Sequence, residues 1–387
     1  DKGKTGIRSR DISRAAREIL VKQGFLQPVM KGWYAPSRPD VRPGDSTPWY
    51  AAFWSFARDY LNARFGQDWV LGPEQSVMMH AGDTTVPTQV LVRSPKAGNQ
   101  PTALLHGTGL YDMKATLPDA ADVQTINGLR LFGLEAALVS AGPSLFEQHA
   151  LEARTALASL RDVTNLNRRL IAGGHATIVG RLAGALRDIG RDREANDLLA
   201  AMRAAGYDVR EVNPFPDRGS RVPPSRDPSP YVHRLRLLWD EMRGGVVDRF
   251  PTAPDPMMPP DAYMAQVDER YVSDAYHSLS IEGFQVSATL IERVRSGVWR
   301  PDQSPDDRAM ENALAARGYW ECFQAVKSSV LRVLVGENPG EVADRDHSAW
   351  YRALYEPKVA AGVFKPEDLA GYRNGQVFLQ GSRHVPL

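Results

Sequence analysis

The chain has 387 residues, room for two or three domains at roughly 150 residues each. Hydrophobic residues make up 43% and charged residues 24%, values of a folded protein that exclude wholesale disorder. The lone cysteine, Cys322, excludes an internal disulfide and leads us to expect a reduced, cytoplasmic setting. No apolar run approaches the ~20 residues of a membrane span and no secretion signal opens the chain, so no membrane partner is expected.

Net charge is only +1, but it is unevenly spread. Residues 1–38 carry nine Lys/Arg against three Asp/Glu, and residues 255–312 carry five Arg against eleven Asp/Glu. In the basic segment Asp11 or Ser13 can cap a helix whose apolar positions are Ile12, Ala15, Ala16, Ile19 and Leu20, with Gly24 as its stop. Arg10, Arg14, Arg17 and Lys22 fill much of the remaining surface. Phe25-Leu26 and Trp33-Tyr34 flank Lys31-Gly32, the pattern of a tight hairpin. Helix, hairpin and positive charge predict a winged-helix module over residues 1–45. Duplex DNA is the expected partner, met by Arg10, Arg14, Arg17, Lys22 and Lys31, and a protein-binding winged helix is the alternative. The stretch "AAREILVKQGFLQPVMKGWYAPS" resembles the start of the abortive-infection type IV antitoxin family. The resemblance extends more loosely to residue 212, through the short helix and strand pieces "SVMMHAG" and "QVLVRSP" and the late helices "RLAGALRDIG" and "EANDLLAAMRAAGY".

Proline marks the seams at Ala35–Pro48, Asn213–Pro230 and Thr252–Pro260, because it removes a backbone donor and fixes φ. Between the last two, Tyr231–Met242 reads as a helix with Leu235, Leu238, Trp239 and Met242 on one face, ended by Gly244-Gly245. The predicted domains are therefore 1–45, an antitoxin-like 46–212, a Pro-rich linker with one helix at 213–260, and 261–387.

The last third carries the sharper chemistry. Tyr271–Ile281 has apolar positions at Val272, Ala275 and Leu279 and runs into Ser278-Leu-Ser-Ile-Glu282-Gly283. Ser278 and Glu282 share one helix face, and a carboxylate at a helix C-terminus opposes the helix dipole unless a cation compensates it. "VSATLIERVRSGVW" reads as a second helix, capped by Ser287 or Thr289, and Asp306–Val335 as a long third one. The tail "LAGYRNGQVFLQGSRHVPL" alternates as a strand reaching a Gly381-Ser382 turn.

The pattern Ser/Thr-x-x-x-Glu-Gly/Asn is the inhibitory motif of Fic-family proteins, matched by Ser278, Glu282 and Gly283. The tail resembles the Fic flap hairpin, with Arg373, Val377, Leu379, Gly381, Ser382 and His384 falling on its positions. Residues 231–387 thus resemble the N-terminal part of a Fic protein. The resemblance implies transfer of AMP from Mg-ATP to the hydroxyl of a protein substrate docked on the flap, held in check by Glu282. The Fic signature His-Pro-Phe-x-x-Gly-Asn-Gly-Arg occurs nowhere in the sequence, which stops at Leu387 with the flap pattern unfinished. We therefore expect a piece of a longer protein, inactive as it stands because the general base and the phosphate nest are missing. The alternative is a DNA-binding, antitoxin-like transcriptional regulator. The expected fold class is α+β, mostly helical, with an N-terminal winged helix, a mixed middle domain and an all-α Fic-type part ending in a flap strand.

Other patterns read as structure. Asp344-Arg345-Asp346-His347 is expected to cap a helix before Trp350 rather than to bind metal. His277 is expected to pack at a helix end, and Cys322 to be a buried small hydrophobe.

Overall fold

The computed structural model describes residues 5–39, 41, 44–217, 229–252, 258–298, 311–369 and 379–384. The fold is α+β and mostly helical, and it divides into two compact units, Asp1–Phe250 with Gln376–Leu387, and Pro251–Gly375.

The first unit opens with β1 (Ile7–Arg8), α1 (Arg14–Lys22), β2 (Leu26–Met30) and β3 (Trp33–Pro36), an antiparallel sheet of order β1-β3-β2. Of the two cap residues the sequence offers, Ser13 acts: its Oγ accepts from the Ala16 amide at 3.2 Å. The hairpin turns at Lys31-Gly32, where Gly32 takes φ +79°, a conformation that favours glycine. Strand β1 has only two residues, too few to show periodicity in the sequence. No residue of α1 is buried. The sheet instead rests on α2 (Thr47–Phe65), where the Trp33 ring meets Phe56 and Tyr60 edge-on at 5.8 and 5.3 Å. The Asp59 carboxylate accepts the Thr5 and Gly6 amides at 3.1 and 2.9 Å.

Helix α2 buries Trp49, Phe53, Phe56 and Leu61 against a four-stranded sheet. That sheet has the order β4 (Val70–Leu71), β5 (Val90–Ser94), β7 (Gly109–Lys114), β6 (Gln100–Ala103), with only β5 and β7 parallel. Between β4 and β5 lies α3 (Pro73–His80). A separate hairpin, β8 (Val123–Ile126) and β9 (Leu129–Phe132), turns through Asn127 and Gly128 at φ +51° and +78°, the two left-handed positions of a tight hairpin loop. A helical layer follows: α4 (Leu134–Ser140), α5 (Ser144–Gln148), α6 (Ala150–Ala158), α7 (Thr164–Ala172), α8 (Ala176–Asp188) and α9 (Asp192–Ala204). Its core is built from Phe146, Leu157, Leu170, Leu182, Leu186 and Leu198.

Helix α10 (Pro230–Arg249) runs past the stop expected at Gly244-Gly245. Gly244-Gly245 does not end it; a helical glycine costs only about 1 kcal/mol relative to alanine, and neither residue takes positive φ. Its first turns are also packed: His233 and Leu237 are buried, and Arg234 reaches Glu152 at 3.1 Å and Asp83 at 3.9 Å.

Among the described residues the α-helices of the second unit are α11 (Pro260–Ile281), α12 (Ala288–Arg295), α13 (Glu311–Leu334) and α14 (Pro339–Ala360). Ser287 caps α12, with Oγ accepting from the Leu290 amide at 3.1 Å, and Thr289 plays no such part. Tyr271, Ala275, Leu279, Ile291, Val294 and Ala316 form the core. Asp344–His347 lie inside α14, whose cap is Asn338, so the expected cap before Trp350 is corrected. Asp346 instead ties α14 to α13, accepting from Ser329 Oγ at 2.7 Å and from Arg332, while Trp350 Nε1 donates to Ser329 Oγ at 3.1 Å. Those bonds hold the Asp346 carboxyl below its usual range, the Ser329 bond foremost.

Residues 379–384 belong to the first unit and form a turn without strand pairing. The Gly381 amide donates to Thr47 Oγ1 at 3.1 Å, and the Val86 amide donates to the Arg383 carbonyl at 3.0 Å. The turn expected at Gly381-Ser382 is present, with the Ser382 amide donating to the Leu379 carbonyl at 3.0 Å, and the strand expected before it, at Val377 and Phe378, lies outside the described residues. Among the described residues no helix is long and apolar enough to cross a membrane.

Candidate functional site

Helix α11 ends in a pair of capping bonds that explain the Glu282-Gly283-Phe284 run. The Phe284 amide donates to the Leu279 carbonyl at 2.9 Å and the Gly283 amide to the Ser280 carbonyl at 3.0 Å. Gly283 takes φ +89°, and Phe284 packs against the cluster that contains Leu279. Together these make a Schellman motif, with glycine at its left-handed position and an apolar contact closing it. Gly283 therefore has a backbone duty of its own.

Glu282 sits on the last turn, where the helix carbonyls already present negative potential. Its side chain is exposed, and no ion pair reaches it among the described residues. Glu282 lines an open cavity of about 880 Å³ bordered by α11, α13 and α14 together with Phe284 and Phe364. Ser278, one turn earlier, lines the same cavity. Tyr319 Oη lies 2.6 Å from Asp274 Oδ2, to which it donates, and 3.2 Å from Ser278 Oγ. Burial pushes the Tyr319 phenol up to about 12, and the acceptor role of Asp274 adds to the shift. Tyr355 is raised as well, by burial first, with the Glu282 carboxylate adding to the shift.

Two further lining residues were not found by sequence reasoning as parts of a site. Cys322 is half-buried on the cavity wall rather than fully enclosed, and burial pushes its thiol up. Its placement three residues after Tyr319 on one helix face was the available signal. Lys358 is only 7% exposed, with Nζ 4.7 Å from the Phe284 ring centroid and 5.4 Å from that of Phe364. Nothing in the sequence marks a lysine for burial. His277 is exposed rather than packed, since it faces away from the Leu279 side of α11.

The basic residues of the N-terminal module divide by surroundings. Arg10, Arg14, Lys22 and Lys31 are exposed, with Lys31 at the β2–β3 turn and Arg14 Nε donating to Glu18 at 2.8 Å. Arg17 is half-buried; it lies over the Tyr34 ring at 5.8 Å and donates to the Ser9 carbonyl at 3.4 Å. Of the flap positions, Leu379, Gly381, Ser382 and His384 lie in the turn described above, and Arg373 and Val377 lie outside the described residues. Among the described residues no group of three His, Cys, Asp or Glu side chains is placed to hold a metal ion.

No family model and no curated protein matches the chain. A solved structure, the RV2827C protein from Mycobacterium tuberculosis, is similar at 18% identity and a TM-score of 0.35, covering 51% of this chain and 76% of that one.

Proposed function

We propose that this chain carries the inhibitory part of a Fic-type protein AMP-transferase, with Glu282 as the inhibitory group. The observation that supports it is the Glu282 carboxylate: placed against the helix dipole, without an ion pair among the described residues, at the edge of a cavity. Such a group is poised for a cation, and in the Fic reading that cation is the second Arg of the downstream signature, which would otherwise hold the ATP γ-phosphate. Ser278, tied to Tyr319 in the same cavity wall, stiffens the turn from which Glu282 projects. The described residues lining the cavity do not fit Mg-ATP. The cation lining the cavity, Lys358, faces two aromatic rings and Glu311, and the Fic signature is absent from the sequence. No step of nucleotide chemistry is assigned to this chain's own residues. The deciding experiment expresses the chain with the coding sequence that follows it and measures AMP transfer from labelled ATP with and without Glu282→Gly. A strong rise supports the clamp; equal rates overturn it.

Duplex-DNA binding by the N-terminal module is the second reading. It is favoured by α1, which buries no residue and leaves Arg10, Arg14 and Lys22 exposed beside the Lys31 turn. Binding that weakens steeply as salt rises is the expected behaviour, and no binding at low salt counts against it.

A further inference from the structure

We infer that Lys358 is the clasp that holds the Glu282 turn in place, by joining the C-terminal ends of α11 and α14 through two aromatic rings. Both helices end in the same way. At α14 the Val363 amide donates to the Lys358 carbonyl at 2.9 Å and the Gly362 amide to the Val359 carbonyl at 2.9 Å, with Gly362 at φ +73°. Phe364 follows this turn, its amide 3.2 Å from the same Lys358 carbonyl. At α11 the residue closing the equivalent motif is Phe284, two positions beyond Glu282.

The Lys358 backbone therefore builds the turn that carries one ring, while its ammonium reaches the ring of the other turn. At 4.7 and 5.4 Å from the two centroids, Nζ lies within cation–π range of both. Its carboxylate neighbour, Glu311, stands 3.6 Å away on a side chain that is 70% exposed, so water screens that pair heavily. The rings, not Glu311, are the desolvated partners of a lysine that is itself 7% exposed. The last turns of both helices line the same cavity, and an ammonium there offsets the negative potential that helix C-termini present.

The consequence for regulation rests on the Fic reading. If Glu282 is the inhibitory group, the ends of α11 and α14 set its position together, and a partner or ligand that lifts the Phe364 turn relieves inhibition without touching Glu282. Lys358 is in this sense a positioning residue.

Cys322 lines the same cavity and is the chain's single cysteine, so its thiol reports on the clasp without any activity. The test measures the rate at which a disulfide reagent modifies Cys322 in the full 387-residue chain, together with amide exchange at Gly283 and Phe284. Lys358→Met keeps the apolar stem and removes the charge. It should speed both readouts about tenfold, the scale set by a desolvated cation–π contact. Lys358→Arg restores a cation over the rings and should stay within about twofold of wild type in both. Phe284→Leu, which keeps apolar bulk but removes one ring, should behave as Lys358→Met does and serves in its place if that variant does not fold. Unchanged readouts in the charge-removing and ring-removing variants, or an arginine variant as fast as the methionine one, overturn the clasp. In the chain extended by its downstream coding sequence, Lys358→Met should also raise AMP transfer. Should Glu282→Gly leave AMP transfer unchanged there, the Fic clamp fails while the Cys322 readout still judges the clasp.

Discussion

Gly318 and Leu354 mark the closest crossing of α13 and α14: a Cβ added at Gly318 would stand 1.9 Å from the Leu354 carbonyl oxygen. The neighbour is backbone within a helix, so it cannot swing aside as a flexible side chain would. The contact also fixes the wall of the cavity, because Leu354, Tyr355 and Tyr319 flank it in sequence and line that wall. Gly318→Ala should destabilise the second unit by about 3 kcal/mol, the upper end of overpacking costs, because the helices must part. Gly244→Ala, with nothing within 4 Å and an ordinary helical backbone, should instead stabilise α10 by roughly 0.5–1 kcal/mol. Urea unfolding of both variants checks the pair, and similar losses in the two would show that the crossing is not tight.

The start of α12 offers a second contrast. Ser287→Ala removes the Oγ that accepts from the Leu290 amide and should cost about 1 kcal/mol. Thr289→Ala, on an exposed position of the first turn without a capping bond, should be close to neutral. Equal midpoints for the two variants would remove Ser287 from the role.

His80 makes the first unit sensitive to acid. Burial lowers its pKa from the ordinary 6.5, against the opposing effects of the Phe132 carbonyl, 2.7 Å from Nε2, and of Glu135. The folded state therefore binds fewer protons than the unfolded chain between the lowered value and 6.5. Stability is fully present above 6.5 and falls as pH drops from there through the folded value. His80→Gln should flatten that part of the profile. The check is the urea midpoint at pH 7.5 and pH 5.5, and an identical pH dependence in wild type and variant would refute the assignment.

For Glu282, the 387-residue chain alone should transfer no AMP from labelled ATP, since the sequence holds no His-Pro-Phe base. Joined to its downstream coding sequence, Glu282→Gly should raise transfer at least about tenfold, the scale of a partly realised buried carboxylate–Arg pair. Glu292→Gly should leave it unchanged: that carboxylate is on α12, engaged with Arg295 at 3.6 Å, and does not line the cavity. A comparable rise with Glu292→Gly would point to a general loosening of the unit.

Much of the local structure was legible because its causes are local. Ser13 and Ser287 act through bonds spanning three residues, and Lys31-Gly32 requires only that Gly32 tolerate positive φ. Ser278 and Glu282 fall on one cavity wall because residues four apart share a helix face, which spacing alone dictates. Tertiary structure decided the rest. Strand β1 exists only because Ile7 and Arg8 find Tyr34 and Trp33 across the sheet while Asp59 takes the preceding amides. The Gly381 amide bonds to Thr47, 334 residues away, a partner that no periodicity announces. Asp346 looks like a cap until Asn338 takes that place and Ser329, on the neighbouring helix, claims the carboxylate. Lys358 carries the same hydrophilic sequence signal as any exposed lysine. Only the tertiary structure brings Phe284 and Phe364, each just past a helix end closed by its own glycine, around its ammonium as an apolar cage in which the charge is stable.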